Sequence, residues 1–394
     1  MNNCKIKRLF FYHWMNQFQM ADFTKRVEHL FRYIDEDEKL EKKPEILVLA
    51  NGVSPHVDSS LFYLTGFSYG LFEGSILVAE RSGTISLITS PLEEPIARAS
   101  APKNLQIYVE TEAEAISTRL RKIAGRKTGV IGINSPELNY KSFLQIQSIL
   151  KHSKFADVSE AFESARLIKD ATEIEKIQEA CNFASKAYKK IPSMLKEGVS
   201  ESSVASEMVN EMQKLGGQGV SFDSIVAFGG NSAQPHYSAG NGKLKNNQFV
   251  LCDYGTKYQM YCSDITRTLV FGSASAKQKK MYEVVKSALE LGTGLCTPEI
   301  TGDVVHKEVA KFIDSTEFKG RFIHSTGHSL GLNVHDGPGL SIRNKRRLLP
   351  GMVLTVEPGV YLPGFGGVRI EDDVLITKGK PRVLTSATRE LIEV

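Results

Sequence analysis

Two short runs, Phe249–Gly255 and Met260–Arg267, each set one aspartate inside apolar or β-prone sequence. Residues 256–259 can turn the chain back, and Asp253 and Asp264 lie equally far from a turn centred between Tyr258 and Gln259. In an antiparallel pair built on that turn the two aspartates face each other, with Cβ atoms roughly 4.5–5.5 Å apart. Like charges so placed destabilise a hairpin, and a carboxylate pair in apolar surroundings costs more still unless a cation lies between them. A metal ion is the simplest such cation. Function is therefore expected at this hairpin.

Further ligands of the same character follow downstream. His324–Asp336 holds three histidines, His324, His328 and His335, while Glu357 and Glu371 each end an apolar run. Two Asp, two Glu and one His make an oxygen-rich set that suits Mn²⁺, Co²⁺ or Fe²⁺ better than a thiolate zinc site. Four carboxylate charges suit two divalent ions roughly 3.5–4 Å apart, a pair that brings the pKa of a shared water near neutrality. Singly, each residue has a plainer reading. A lone Asp or Glu is most often ion-paired or capping a helix, and Gly327–Gly331 alone is a turn with a structural histidine. The recurrence of the whole set in one half of the chain is what carries the metal reading. Cys252, next to Asp253, points to the opposite face of its strand and reads as packing. Cys262 shares the face of Asp264 but sits a step further along.

The series Asp253, Asp264, His328, Glu357, Glu371 resembles the five-ligand series of the pita-bread metallopeptidases. The stretches Cys252–Gly255, Ser263–Thr268, His324–Asp336, Gly351–Gly359 and Gly366–Asp373 are most similar to the branch of Xaa-Pro aminopeptidases (aminopeptidase P) and Xaa-Pro dipeptidases (prolidases). The resemblance is strongest over residues 160–394 and weaker through Phe62–Phe67. It implies an α+β chain: a C-terminal pita-bread fold, a curved pseudo-twofold antiparallel sheet backed by helices, after a smaller α/β creatinase-like domain. It also implies roles. His328 and Glu357 would bind one ion and Asp253 the other, with Asp264 and Glu371 bridging. His236 and His335 resemble substrate-contacting histidines that donate to the carbonyl oxygen or relay a proton, and Glu357 is the expected acceptor of the attacking water's proton. His324 matches a histidine lining the pocket for the residue after the scissile bond. Arg343 resembles a prolidase arginine that holds a dipeptide's C-terminus; with Lys345, Arg346 and Arg347 beside it, a solvated basic loop is the competing reading. Arg369 shares the strand face of Glu371, where its planar fork can grip a carboxylate.

The activity so implied is hydrolysis of the Xaa-Pro bond at the N-terminus of short proline-containing peptides. A proline nitrogen carries no N–H, so a strand-like binding mode loses a donor and a dedicated pocket is needed. The prolidase type, acting on dipeptides, is preferred to aminopeptidase P acting on longer peptides. Methionine aminopeptidase shares the ligands but normally lacks so large a preceding domain. Non-catalytic pita-bread binding proteins and creatine-hydrolysing relatives lack the intact set.

Composition narrows the setting. Net charge is +4, from 49 basic and 45 acidic residues that are scattered, so no nucleic-acid surface is expected. Five cysteines without framework spacing suggest a reducing, cytoplasmic compartment. No apolar run nears the ~18–20 residues that span a bilayer, and a homodimer is expected. Residues 1–19 read as a disordered extension: Lys5–Trp14 faintly mimics a signal peptide, but no small-residue cleavage site follows, and Met20 reads as an ordinary start. An α/β domain is expected over 20–160 and the catalytic domain over 161–394. Within the second, a helix–helix–strand pattern runs twice: helices near 174–191 and 200–215, then helices from a capping box at Ser275–Gln278 to about 291 and over 302–313. The first repeat carries both aspartates, and the strands of the second carry His328, Glu357 and Glu371.

Overall fold

The computed structural model describes residues 23–53, 56–125 and 129–394, so the expected extension 1–19 and Met20 lie outside it. The chain forms two compact units that divide between Arg166 and Leu167. The division falls beyond residue 160 because most of the helix Ser159–Leu167 belongs with the first unit, where the Tyr63 hydroxyl donates to the Ala165 carbonyl at 3.0 Å.

The first unit is built on one six-stranded sheet. Its strands are β1 (Ile46–Ala50), β2 (Ile76–Glu80), β3 (Ile85–Thr89), β4 (Leu105–Val109), β5 (Val130–Ile133) and β6 (Lys154–Asp157), in the order β4-β3-β2-β1-β5-β6. The β1–β2–β3 pairings are antiparallel; β4, β5 and β6 join in parallel. Alternate residues Ile46 and Val48, Ile76 and Val78 put one face against Leu120, Ala124 and Ile146 of the helices Ile116–Ala124 and Tyr140–Ile149.

The second unit repeats a pattern with a separate core in each half. Helices Ala171–Tyr188 and Glu201–Lys214 precede β7 (Ile225–Phe228), β8 (Gln248–Tyr254), β9 (Lys257–Tyr258), β10 (Tyr261–Cys262) and β11 (Ile265–Phe271). Ala184, Tyr188, Val204 and Met208 of these helices pack on Val226, Val250, Cys252, Ile265 and Leu269. Cys252 is thus a core residue. The capping box Ser275–Gln278 then opens the helix Ala276–Leu295, followed by Gly302–Asp314. The strands of this half are β12 (Val353–Val356), β13 (Gly359–Leu362), β14 (Gly366–Arg369), β15 (Asp372–Leu375) and β16 (Arg382–Val383). Met281, Val285, Leu289, Val305 and Val309 pack on Leu354, Val356, Val368 and Val374. Every strand pair of this unit is antiparallel.

Hydrogen bonds stitch the halves along β11. The Glu371 N–H donates to the Thr266 carbonyl at 3.1 Å, and the Thr268 hydroxyl donates to the Arg369 carbonyl at 2.9 Å. Arg267, fully buried, donates to Asp372 Oδ1 at 2.7 Å and to the carbonyls of Glu371, Ala387 and Thr388. Its guanidinium ties the first half to the second and to the C-terminal tail.

Two expectations are corrected. The hairpin turns at Gln259–Met260, not between Tyr258 and Gln259: both residues take positive φ, 47° and 74°, and Tyr258 pairs with Tyr261. Asp253 therefore faces Thr266, and Asp264 lies just before β11 rather than opposite. The two-residue shift keeps both carboxylates on one face, because strand side chains alternate with period two. A turn with positive φ at both central positions normally carries Asn or Gly, and Gln-Met gave no such signal. Nor is His328 on a strand, and Glu357 and Glu371 fall just outside theirs, one residue past β12 and in the gap between β14 and β15; His328 is the further removed. It sits between two single bridges, Gly327 with Leu340 and Ser329 with Leu354.

Candidate metal centre

Strand ends and the turns beside them deliver the site. Asp253 stands at the end of β8, Asp264 just ahead of β11, Glu357 just after β12, and Glu371 between β14 and β15. All four, with His328, line one cavity of about 530 Å³. His236, His324, His335 and Arg369 line it too, alongside Phe222, Ile225 and Val334. Arg343 does not: its side chain is exposed, though Ser341 in the same loop reaches the wall.

Asp264, His328 and Glu371 each offer an atom that could bind a metal, and these atoms all lie within 4.8 Å of one another. His328 Nε2 is 3.4 Å from Asp264 Oδ2 and 3.7 Å from Glu357 Oε1. Its Nδ1 is 3.2 Å from the Ser329 carbonyl, which fixes the proton on Nδ1 and turns the Nε2 lone pair toward the carboxylates. The Thr355 hydroxyl anchors this arrangement by accepting the His328 N–H at 3.0 Å, and the Thr266 hydroxyl donates to Glu371 Oε2 at 2.6 Å.

Charge is crowded here. Burial, then Asp253, Asp373 and Glu357, push the Asp264 carboxyl well above its ordinary range. Burial followed by Asp264 and Glu357 does the same to Glu371, and burial raises Glu357 against the pull of His328. One cation answers part of this. The Arg369 Nη2–H donates to Asp253 Oδ2 at 2.5 Å, and burial of this guanidinium is outweighed by Tyr361, Asp253 and Glu357. Yet Asp253 Oδ1 and Asp264 Oδ1 are buried without a hydrogen-bond partner among the described residues. Buried carboxylate oxygens are ordinarily paired, and a hard, oxygen-seeking cation is the partner these two suit. The donor set therefore fits the divalent ions that the sequence implies.

The wall opposite is a relay of hydrogen bonds that sequence reasoning missed. Arg369 Nη1–H donates to the Tyr361 hydroxyl at 2.9 Å, and Tyr361 Oη lies 2.8 Å from His324 Nε2. His324 Nδ1 is 2.8 Å from the Ser325 carbonyl. That carbonyl can only accept, so Nδ1 carries the proton and Nε2 accepts from Tyr361. Burial and then Arg369 lower the His324 pKa to about 3, so it is neutral under any ordinary condition. Both ring nitrogens are engaged within the protein. His324 thus offers its cavity a carbon edge. His335 packs edge-on against His328, ring centres 4.3 Å apart, and desolvation followed by His328 lowers its pKa. His236 reaches the cavity from an exposed position beside Pro235, whose carbonyl accepts from Arg369 at 3.3 Å. Alternation along β11 was the signal for Thr266, two residues from Asp264; nothing in the sequence marked Tyr361.

Comparison with known proteins places this geometry. Residues 175–378 match the profile of metallopeptidase family M24, and residues 44–168 that of the Creatinase/Prolidase N-terminal domain. An uncharacterized peptidase of Bacillus subtilis is 35% identical over 85% of this chain and 93% of its own length. An Xaa-Pro dipeptidase of Pyrococcus horikoshii is 35% identical over 84% of this chain and 92% of its own. Among solved structures, an Xaa-Pro dipeptidase from Bacillus anthracis superposes with TM-score 0.86 at 32% identity, covering 95% of this chain and all of that one. An X-Pro aminopeptidase from Thermotoga maritima gives 0.83 at 29%, covering 89% and 98%. The pita-bread fold with its creatinase-type N-terminal domain and the acid-rich cavity agree with these matches, and the chain belongs to metallopeptidase family M24.

Proposed function

We propose that this chain is a metal-dependent exopeptidase that hydrolyses the Xaa-Pro bond at the N-terminus of short peptides, with dipeptides the preferred substrates. The observation that carries the reading is the convergence of Asp253, Asp264, His328, Glu357 and Glu371 on one cavity, where the Oδ1 atoms of both aspartates have no hydrogen-bond partner among the described residues. The similarity to an Xaa-Pro dipeptidase over most of both chains supports the substrate class.

Those five residues would hold two divalent ions, Mn²⁺ or Co²⁺ by their oxygen-rich chemistry. Such ions, when bound, acidify a water and polarise the scissile carbonyl. The rest falls to the chain's own groups. Glu357, whose pKa burial raises, accepts the proton of the attacking water and can return it to the proline nitrogen. His335 and His236 donate to the carbonyl oxygen as negative charge develops there. His324 presents no free polar atom to the cavity, and a proline ring, with no N–H to satisfy, suits such a wall. Arg369 holds Asp253 in place and offsets its charge.

A second reading, aminopeptidase P activity on longer peptides, draws support from Arg343. It stands exposed and does not line the cavity, whereas a residue gripping a dipeptide's carboxylate is expected at the wall. The four described cysteines are free and buried, which supports a reducing, cytoplasmic setting, and among the described residues no helix is long and apolar enough to cross a membrane. A homodimer is the expected assembly, to be checked by light scattering.

The deciding experiment compares Xaa-Pro dipeptides, Xaa-Pro-Xaa tripeptides and Xaa-Ala dipeptides with the metal-stripped and the Mn²⁺- or Co²⁺-loaded protein. Metal-dependent cleavage restricted to prolyl bonds is expected, fastest on dipeptides. Faster tripeptide cleavage would select the second reading. No prolyl cleavage by the loaded protein would refute both.

A further inference from the structure

A buried carboxylate behind the cavity takes no part in the chemistry above. Asp373 lies on β15 opposite Thr355 of β12, two residues past Glu371, and is fully buried without lining the cavity. Its Oδ2 accepts two hydrogen bonds: from the backbone N–H of Asp264 at 3.0 Å and from the Cys181 thiol at 3.1 Å. Both donors belong to the first half of the catalytic unit, whereas Asp373 belongs to the second.

The first of these bonds matters because of where Asp264 sits. β10 ends at Cys262 and β11 begins at Ile265, so Asp264 falls in the gap and its N–H has no partner in a strand ladder. Asp373 supplies that partner. Neighbouring side chains on β15 then hold the first half from two sides: Asp372 through Arg267, Asp373 through Asp264 and Cys181. The thiol fixes the carboxylate, the carboxylate fixes the Asp264 backbone, and the Asp264 side chain meets His328 and Glu371 across the boundary between halves.

We propose that Asp373 is a positioning residue for the metal centre, setting the place of Asp264 relative to His328 and Glu371. This rests on the reading of those three residues as ligands. It does not depend on which peptide the enzyme cleaves. Partners one step behind the ligands commonly change metal affinity by about 10–100-fold when removed.

The test titrates the metal-stripped full-length protein with Co²⁺, following heat and the visible absorption of the bound ion. Asp373→Ala removes the acceptor and should raise the Co²⁺ dissociation constant about tenfold or more, with an altered absorption envelope. Asp373→Asn keeps an acceptor oxygen at the same reach and should return affinity to within about threefold of wild type, a rescue that loss of general stability would not give. Cys181→Ala leaves the backbone contact but frees the carboxylate; it should weaken Co²⁺ binding by a smaller, measurable factor, and it serves if Asp373→Ala does not fold. Unchanged affinity in both Asp373→Ala and Cys181→Ala would overturn the proposal. So would Asp373→Asn behaving like Asp373→Ala, since charge rather than placement would then be at work. Because the readout is Co²⁺ affinity, a failure to cleave prolyl peptides would count against the proposed function and leave this result interpretable.

Discussion

Both units bury carboxylates, and they treat them in opposite ways. In the first unit Asp58 caps the helix Ser59–Thr65, accepting the Ser60 N–H at 2.9 Å and an Asn134 amide hydrogen at 3.2 Å, with Arg166 nearby in charge. In the second unit Asp253, Asp264 and, behind them, Asp373 each keep one buried oxygen unmet among the described residues, and Asp264 is pressed on by Asp253, Asp373 and Glu357. A satisfied buried acid is part of the fold. An unsatisfied cluster of them costs stability and is intelligible only if something else binds there.

That contrast is sharpest at Asp264. Asp264→Asn should abolish peptidase activity while raising the stability of the chelated protein, by on the order of 1 kcal/mol or more, because a repelled charge is removed. Urea melts in the presence of chelator, beside an activity assay, check both halves of this expectation. A variant that loses activity and apo-stability together would mean that the carboxylate serves the fold and not a metal.

Arg267 is the opposite case within the catalytic unit, a buried charge with its partner in place. Arg267→Ala leaves Asp372, among the described residues, with Arg389 and Thr385 as its side-chain partners and should destabilise the protein by about 3–5 kcal/mol. A loss of unfolding free energy below about 1 kcal/mol in urea melts would show that the tie between the halves is dispensable.

Asp58 itself offers a pH test. Burial raises its pKa from 3.8 to about 6, so its contribution favours folding below the unfolded value and is lost as pH rises through about 6. Asp58→Asn should therefore gain stability relative to wild type between pH 4 and 7, by at most about 3 kcal/mol, with no change in peptidase turnover. A pH-independent difference would remove the assigned cause.

The smallest effect is expected at the exposed Arg343. If it holds a dipeptide's carboxylate, Arg343→Ala should raise KM for Xaa-Pro dipeptides about tenfold and for longer peptides much less. Changes within twofold on both would identify a solvated basic loop and favour aminopeptidase P activity.

What the sequence disclosed, and what it hid, follow from the range of the interactions involved. That Asp253, Asp264, His328, Glu357 and Glu371 belong together was legible because their residue types recur in order at the ends of apolar runs, and they do line one cavity. The helix starting at Ser275 was legible because a capping box is local. The hairpin register was not, since Gln259 and Met260 take positive φ without the residues that usually announce it. Nor was the relay Arg369–Tyr361–His324, in which Tyr361 and His324 lie 37 residues apart. Asp373 and Cys181, 192 residues apart, meet only once both halves have folded. A lone cysteine in a helix and an Asp beside a ligand predict nothing of it.

On this proposal the acid cluster holds two metal ions that the peptidase reaction requires. Elemental analysis of the dialysed, Mn²⁺- or Co²⁺-reconstituted protein, on the sample assayed for Xaa-Pro hydrolysis, tests it most directly. About two ions per chain are expected in the wild type, fewer in Asp264→Asn, with activity that rises with occupancy. Full prolyl-peptide hydrolysis by protein shown to contain no divalent metal would contradict it.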